Sequence, residues 1–215
     1  MLAISIYFRR IFMANSTYLD KKGLTVKDLV TIGIFTAIYF IVSLLGGLPF
    51  APNPVLTFYM PLGQALLSGP VIMLLWAKVP KFGVATILGV IVGLIYFVLG
   101  MHWAMDLGFA VMALLADLIA GTRKYRSKKI NILAYAVMCL GPTGTYIVFF
   151  LDPAGWASTM LSKGTPVDYI DTMKAAAPMW LLFVILIGSF VVGVFSGWAG
   201  SKLLKKQFEK AGITA

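Results

Sequence analysis

Long uncharged stretches alternate along the chain with short polar segments. Four such stretches run over residues 29–77, 82–105, 130–151 and 175–201. A helix rising about 1.5 Å per residue needs roughly 20 apolar residues to cross a hydrocarbon layer of about 30 Å. The first stretch is long enough for two such helices, and Gly46, Gly47, Pro49, Pro52 and Pro54 break it midway. A further span fits between His102 and Gly121; its Asp106 and Asp117 fall near the ends, where a carboxylate reaches interfacial water at modest cost. The pattern predicts six helices at about 28–46, 55–77, 82–101, 103–121, 130–151 and 177–202. The expected fold class is an all-α integral membrane protein, with a cytoplasmic N-terminal extension at 1–24 and one transmembrane domain over 25–215.

Charge adds an orientation to this picture. Sixteen of the 18 Lys and Arg residues lie in four segments: before the first helix, between helices two and three (Lys78, Lys81), between four and five (Arg123 to Lys129), and in the tail from Lys202. Only Lys163 and Lys174 fall on the other side, so the positive-inside rule places both termini in the cytoplasm. The net charge of +10 points to anionic lipid at the cytoplasmic flanks, and no nucleic-acid partner is expected. With 215 residues, 60% of them hydrophobic, the chain holds one helical bundle and no sizeable soluble domain. Its single cysteine, Cys139, excludes an internal disulfide and a cysteine metal cluster.

Met1 to Phe12 carries its positive charges after a short apolar run, the reverse of a cleaved signal peptide. It reads as a cytoplasmic extension that binds the membrane surface, or as a stretch preceding a true start at Met13. Further on, Thr25-Val26-Lys27-Asp28 has the form of a capping box opening helix one.

Small residues recur at a spacing of four: Gly33 and Ala37 in helix one, Gly89 and Gly93 in helix three, and Ser189, Gly193, Gly197 and Ser201 in helix six. Such spacing lets backbones approach closely in lipid. For helix three, contact within the bundle is the expectation; for helices one and six, docking onto another membrane subunit competes with it. Helix five is interrupted at Gly141-Pro142-Thr143-Gly144, and helix two carries Pro61, Gly63, Gln64 and Pro70. Interrupted spans occur where freed carbonyls face protein or a wet cavity, although a simple proline kink explains the pattern equally well. Gln64 is an intramembrane amide that needs a partner, either another helix or a solute.

The connections expected outside are rich in aromatics, for which a membrane-interface belt is the plain explanation. His102, the lone histidine, has no acid or thiol at metal-ligand spacing, so no metal or cofactor is expected. The segment from Asp152 to Lys174 has the Pro, Gly and Trp content of a lid. The chain carries no G-x-x-x-x-G-K-[ST] phosphate loop, no H-E-x-x-H helix and no G-x-S-x-G elbow. It is read as neither an enzyme nor a pump with its own motor.

Three segments carry a resemblance: Leu24 to Ala37 (LTVKDLVTIGIFTA), Lys81 to Gly89 (KFGVATILG) and Lys202 to Gly212 (KLLKKQFEKAG). Together they resemble the Trep_Strep family, also called MptD-family S components of energy-coupling factor (ECF) transporters, over nearly the whole chain beyond its N-terminal extension. The resemblance implies a six-helix S component of the plasma membrane that captures a vitamin-like micronutrient at the outer face. It implies docking on EcfT, a transmembrane coupling subunit driven by two EcfA-type ATPases, and toppling of the S component within the bilayer during transport. In that class an Ala-x-x-x-Ala motif on helix one contacts EcfT; the matching positions here are Gly33 and Ala37.

On this reading solute lies between the outer helix ends, under the loops joining helices one to two, three to four and five to six. The candidate contacts are Asn53, Tyr59, Trp103, Tyr146 and Trp156, with Thr143 and Thr145 near the helix break. Aromatics would stack on a planar or apolar solute, and the amide and hydroxyls would orient it. Four outer Asp against two Lys mildly disfavour a strongly anionic solute. Two alternatives stand beside this reading: a self-contained facilitator or channel, oligomeric through helix six, and a membrane scaffold without ligand.

Overall fold

In the computed structural model, residues 23–205 are described. Most of the extension at 1–24 and the end of the Lys202–Gly212 segment lie outside them. The described residues form nine α-helices and no strands: α1 (Val26–Gly47), α2 (Met60–Lys78), α3 (Val84–Val98), α4 (Trp103–Gly121), α5 (Lys128–Met138), α6 (Gly144–Leu151), α7 (Pro153–Ser162), α8 (Val167–Ala175) and α9 (Trp180–Leu203). A 3-10 turn at Leu56–Tyr59 leads into α2, and another at Gly141–Thr143 joins α5 to α6.

Among the described residues five segments are long and apolar enough to cross a membrane: Val26–Gly47, Leu56–Lys78, Trp103–Gly121, Lys128–Leu151 and Trp180–Leu203. The sixth expected span, α3, has 15 residues, a rise of about 22 Å that falls short of the roughly 30 Å hydrocarbon layer. Gly83 and Gly100 bound it, with φ of 92° and 86°. Both take the left-handed conformation that glycine adopts without a Cβ clash, and both end the helix. The apolar character of these helices extends to their outer faces: Ile34, Ile38, Ile41 and Leu45 of α1 and Phe183, Ile187, Val191 and Phe195 of α9 are exposed. A helix apolar all round belongs in a core or in lipid.

The N-terminus of α1 forms as its sequence dictates. Thr25 Oγ1 accepts from Asp28 N–H at 3.3 Å, and the Asp28 carboxylate accepts from Thr25 N–H at 2.8 Å. Asp28 also pairs with Lys81 at 2.6 Å, tying the start of α1 to the turn between α2 and α3.

α3 packs on α4, α1 and α9 flank α2, and α4 and α9 flank α5. Small residues set these approaches. A Cβ on Gly193 would meet Ala136 Cα at 2.9 Å and Cys139 Sγ at 2.9 Å, so the stripe of small residues in α9 is spent inside the bundle. Gly89 and Gly93 of α3 likewise face α4. Gly33 has nothing within 4 Å of its Cβ position, and Ala37 is exposed, so the α1 pair points out of the bundle.

The two acids of α4 have unlike settings. Asp117 is fully buried rather than reaching water, as its position near the helix end suggested. Its carboxylate accepts from Thr86 N–H and Thr86 Oγ1, both at 2.8 Å, and from Tyr125 Oη at 3.3 Å. It thus satisfies a free N–H at the start of α3. Asp106 lies in the first turn of α4, its oxygens shielded and without a hydrogen-bond partner.

Candidate functional site

A cavity of about 330 Å³ lies at the end of the bundle away from Lys78, Lys81 and the Arg123–Lys129 segment. The sequence builds it from three irregularities. The Gly-Pro-rich connection after α1 brings in Ala51 and Thr57, and the start of α2 brings Met60, Pro61 and Gln64. The turn between α3 and α4 adds Met101 and His102, with Met105 beyond it. The break between α5 and α6 adds Pro142, Thr145 and Tyr146. Pro142 lacks an N–H and cannot continue the α-helical ladder, so the chain tightens into a 3-10 turn before restarting at Gly144.

The segment expected to be a lid is a pair of short helices. α7 contributes Trp156 and Met160, Lys163 follows at its C-terminal cap, and α8 contributes Tyr169 and Met173. Asp152 caps α7 by accepting from Gly155 N–H at 2.9 Å. Polar contacts fasten the pair to each neighbouring connection. Trp156 Nε1 donates to Thr145 Oγ1 at 2.9 Å and Tyr169 Oη to the Ala51 carbonyl at 2.7 Å. Lys163 Nζ donates to the Met101 carbonyl, and below the lid Tyr146 Oη donates to the Thr57 carbonyl. The Trp156 ring meets Phe149 edge-on, with centroids 4.9 Å apart.

Of the seven residues expected to contact solute, Thr145, Tyr146 and Trp156 line this cavity. The other four lie away from its lining. Asn53 is exposed and its Oδ1 accepts from the N–H groups of Val55 and Leu56 at 2.8 and 3.1 Å, starting the 3-10 turn. Tyr59 packs at the margin of a second apolar cluster around Phe58 and Phe149. Trp103 is 47% exposed. Thr143 is buried in the helix break, donating to the Leu140 carbonyl at 2.6 Å.

Two lining residues carry more chemistry than their sequence positions revealed. Gln64 and His102 are each 2% exposed, yet Gln64 Oε1 and His102 Nε2 have no hydrogen-bond partner. Gln64 is held from behind, where its amide donates to Tyr96 Oη at 3.4 Å and Tyr96 Oη bonds Ser43 Oγ at 3.2 Å. His102 Nδ1 accepts from Ala104 N–H at 3.2 Å, capping α4. That bond leaves the ring proton of the neutral form on Nε2. Burial, reinforced by the neighbouring Lys163 charge, pushes the His102 pKa below its usual value. Intramembrane amides and interfacial histidines usually find partners within the protein, so only the fold distinguishes these two. A buried polar atom left without a partner incurs a desolvation cost that a bound molecule removes.

The model of a family described as hypothetical bacterial integral membrane protein (Trep_Strep) matches residues 26–210. The chain belongs to the Trep_Strep family. No curated protein and no solved structure matches it. Family membership and the five apolar helices together make this Trep_Strep protein an integral, multi-pass membrane protein. Among the described residues no group of His, Cys, Asp and Glu is arranged to hold a metal ion. The cavity has apolar, thioether-rich and aromatic walls with a few placed polar groups, the usual composition of a small-molecule site.

Proposed function

We propose that this Trep_Strep protein is the solute-binding S component of an ECF-type importer. It captures a micronutrient-sized molecule in the cavity and docks on an EcfT-like coupling subunit served by two EcfA-type ATPases. The observation carrying this reading is the cavity itself: about 330 Å³, covered by α7 and α8, with Gln64 and His102, each holding one buried polar atom without a partner, among its lining residues. In the proposed orientation α3 counts as a sixth, short span. The basic connections then face the cytoplasm, which puts the cavity at the outer surface. The chain has no phosphate-binding loop and is proposed to take its energy from the separate ATPases rather than to act as an enzyme.

The outward-facing Gly33 and Ala37 of α1 offer a backbone surface that a second helix can approach closely. The last helix, through which the facilitator alternative could oligomerise, has its small-residue stripe packed against α5. The deciding experiment is affinity purification of the tagged chain from native membranes in mild detergent, with mass spectrometry of co-purifying proteins and retained metabolites. Recovery of a coupling subunit with two ATPases is the expected result. Recovery of the chain alone after crosslinking, together with solute flux in liposomes holding only this chain, would overturn the reading.

A further inference from the structure

Resting on the reading of this cavity as a solute site, we propose that its solute is an organic monocarboxylate. The carboxylate is received by Lys163 Nζ and His102 Nε2–H, and a donor group on the body of the solute reaches Gln64 Oε1. The count of outer charges pointed mildly the other way, but the fold keeps the four Asp out of the cavity wall, with Asp106 alone near enough to feel the Lys163 charge from behind it. Asp106, Asp152, Asp168 and Asp171 are all absent from the lining, and Lys163 is the one charged side chain among the described residues that form it.

No carboxylate of the described residues lies within ion-pair distance of Lys163. Its ammonium donates to the Met101 carbonyl and lies 4.7 Å from the centroid of the Phe97 ring. An ammonium has three donors, so the carbonyl leaves others to offer. His102 follows Met101 directly, and its Nδ1 is occupied by Ala104 N–H, which directs its donor, Nε2–H, toward a partner it lacks. Two adjacent donors, one of them cationic, match the two oxygens of a carboxylate. A phosphate monoester brings close to two negative charges at neutral pH, and here it would meet one cation and no arginine fork.

Gln64 lies on a different helix from these donors, and its unpartnered oxygen calls for an N–H or O–H from the solute. Between the two polar ends the walls are Met60, Met105, Met160, Tyr146 and Trp156, surfaces that pack against a flat or unbranched apolar body. The solute class is thus a compact acid with an aromatic or aliphatic body and a hydrogen-bond donor remote from the carboxylate.

The test uses the full chain in lipid nanodiscs and three acids, benzoate, 4-aminobenzoate and indole-3-acetate, each paired with its primary amide, in calorimetric titrations up to about 1 mM, the weak end of specific binding. Acids are expected to bind about ten- to a hundredfold tighter than their amides, the worth of one charge-assisted hydrogen bond. Lys163→Met should remove that preference, and Lys163→Arg should keep most of it. 4-Aminobenzoate should exceed benzoate, and Gln64→Leu should abolish that difference. Amides binding as tightly as acids, or no acid binding to the folded wild-type chain, would overturn the assignment. Failure here is distinguishable from failure of the transporter reading, since recovery of a coupling subunit does not depend on what the cavity holds.

Discussion

Gly193 and Gly33 sit in helices of similar apolar character, and the same substitution should have opposite effects at the two positions. In Gly193→Ala the new methyl would lie 2.9 Å from Ala136 Cα, 2.9 Å from Cys139 Sγ and 3.2 Å from Cys139 Cβ. Carbon pairs rest at about 3.5–4.0 Å, so α9 and α5 must separate by roughly half an ångström or more. Overpacking of this kind costs about 1–3 kcal/mol, and the better helix propensity of alanine offsets up to about 1 kcal/mol of it. The net expectation is a loss of about 1–2 kcal/mol. For a domain of this size that corresponds to a fall in thermal midpoint of roughly 2–8 °C. In Gly33→Ala the methyl meets nothing within 4 Å, so the midpoint should hold or rise slightly. The assay is unfolding in detergent followed by reaction of a thiol-sensitive dye with Cys139, a single buried cysteine, with tryptophan fluorescence as an independent readout. An unchanged midpoint for Gly193→Ala, or a clear fall for Gly33→Ala, would refute the packing argument.

Three further predictions address other links between structure and behaviour. Asp117→Ala strips the partner from Thr86 N–H, Thr86 Oγ1 and Tyr125 Oη; it should cost about 2–4 kcal/mol, with Asp117→Asn milder, and equal midpoints for the two variants would count against the network. His102 has a lowered pKa in the fold, caused first by burial and then by Lys163. The unfolded chain therefore binds the extra proton more readily, and this stabilisation is complete above about pH 6.5 and lost as pH falls through the lower folded value. The fall in midpoint from about pH 7.5 to pH 5 should be smaller in His102→Asn, which keeps a capping acceptor; an identical pH profile would dismiss the effect. Finally, Gly33→Leu should reduce co-purification of an EcfT-like subunit while leaving solute binding by the isolated chain intact, and undiminished co-purification would remove Gly33 from the proposed docking face.

The helices were legible because lipid imposes a length on uncharged runs, and α4 begins and ends where that rule puts it, at Trp103 and Gly121. The helix break was legible because Pro142 between two glycines leaves the backbone few options. α7 and α8 were read as a loop: both are short, punctuated by Gly164 and Pro166, and too mixed in polarity for a spanning pattern. The small-residue stripes announced close approach but not the identity of the partner, which is why α9 turned inward and α1 outward without any difference visible in spacing. Asp117 was placed near water by its position along α4, and its true partner, Thr86, comes from another helix. Of the candidate site, the aromatic lid residue Trp156 and the break residues Thr145 and Tyr146 followed from composition. Gln64 stood out in the sequence as an amide needing a helix or a solute, but that its Oε1 and the His102 Nε2 lack partners is visible only in the fold, because a sequence does not record missing partners.

The brevity of α3 carries a consequence for the surrounding bilayer. A segment of 15 residues spans about 22 Å, some 8 Å less than a typical hydrocarbon layer, and Leu94, Phe97 and Val98 are exposed near its end. In the proposed arrangement, with α3 as a short sixth span, lipid beside it must thin, or the molecule must lean to shelter the unmatched edge, at a fraction of a kcal/mol for each ångström of mismatch. In that arrangement one side of the protein sits in its membrane under elastic strain. That asymmetry lowers the work of tilting the whole bundle toward α3, and it makes acyl-chain length a variable to which this protein is intrinsically sensitive.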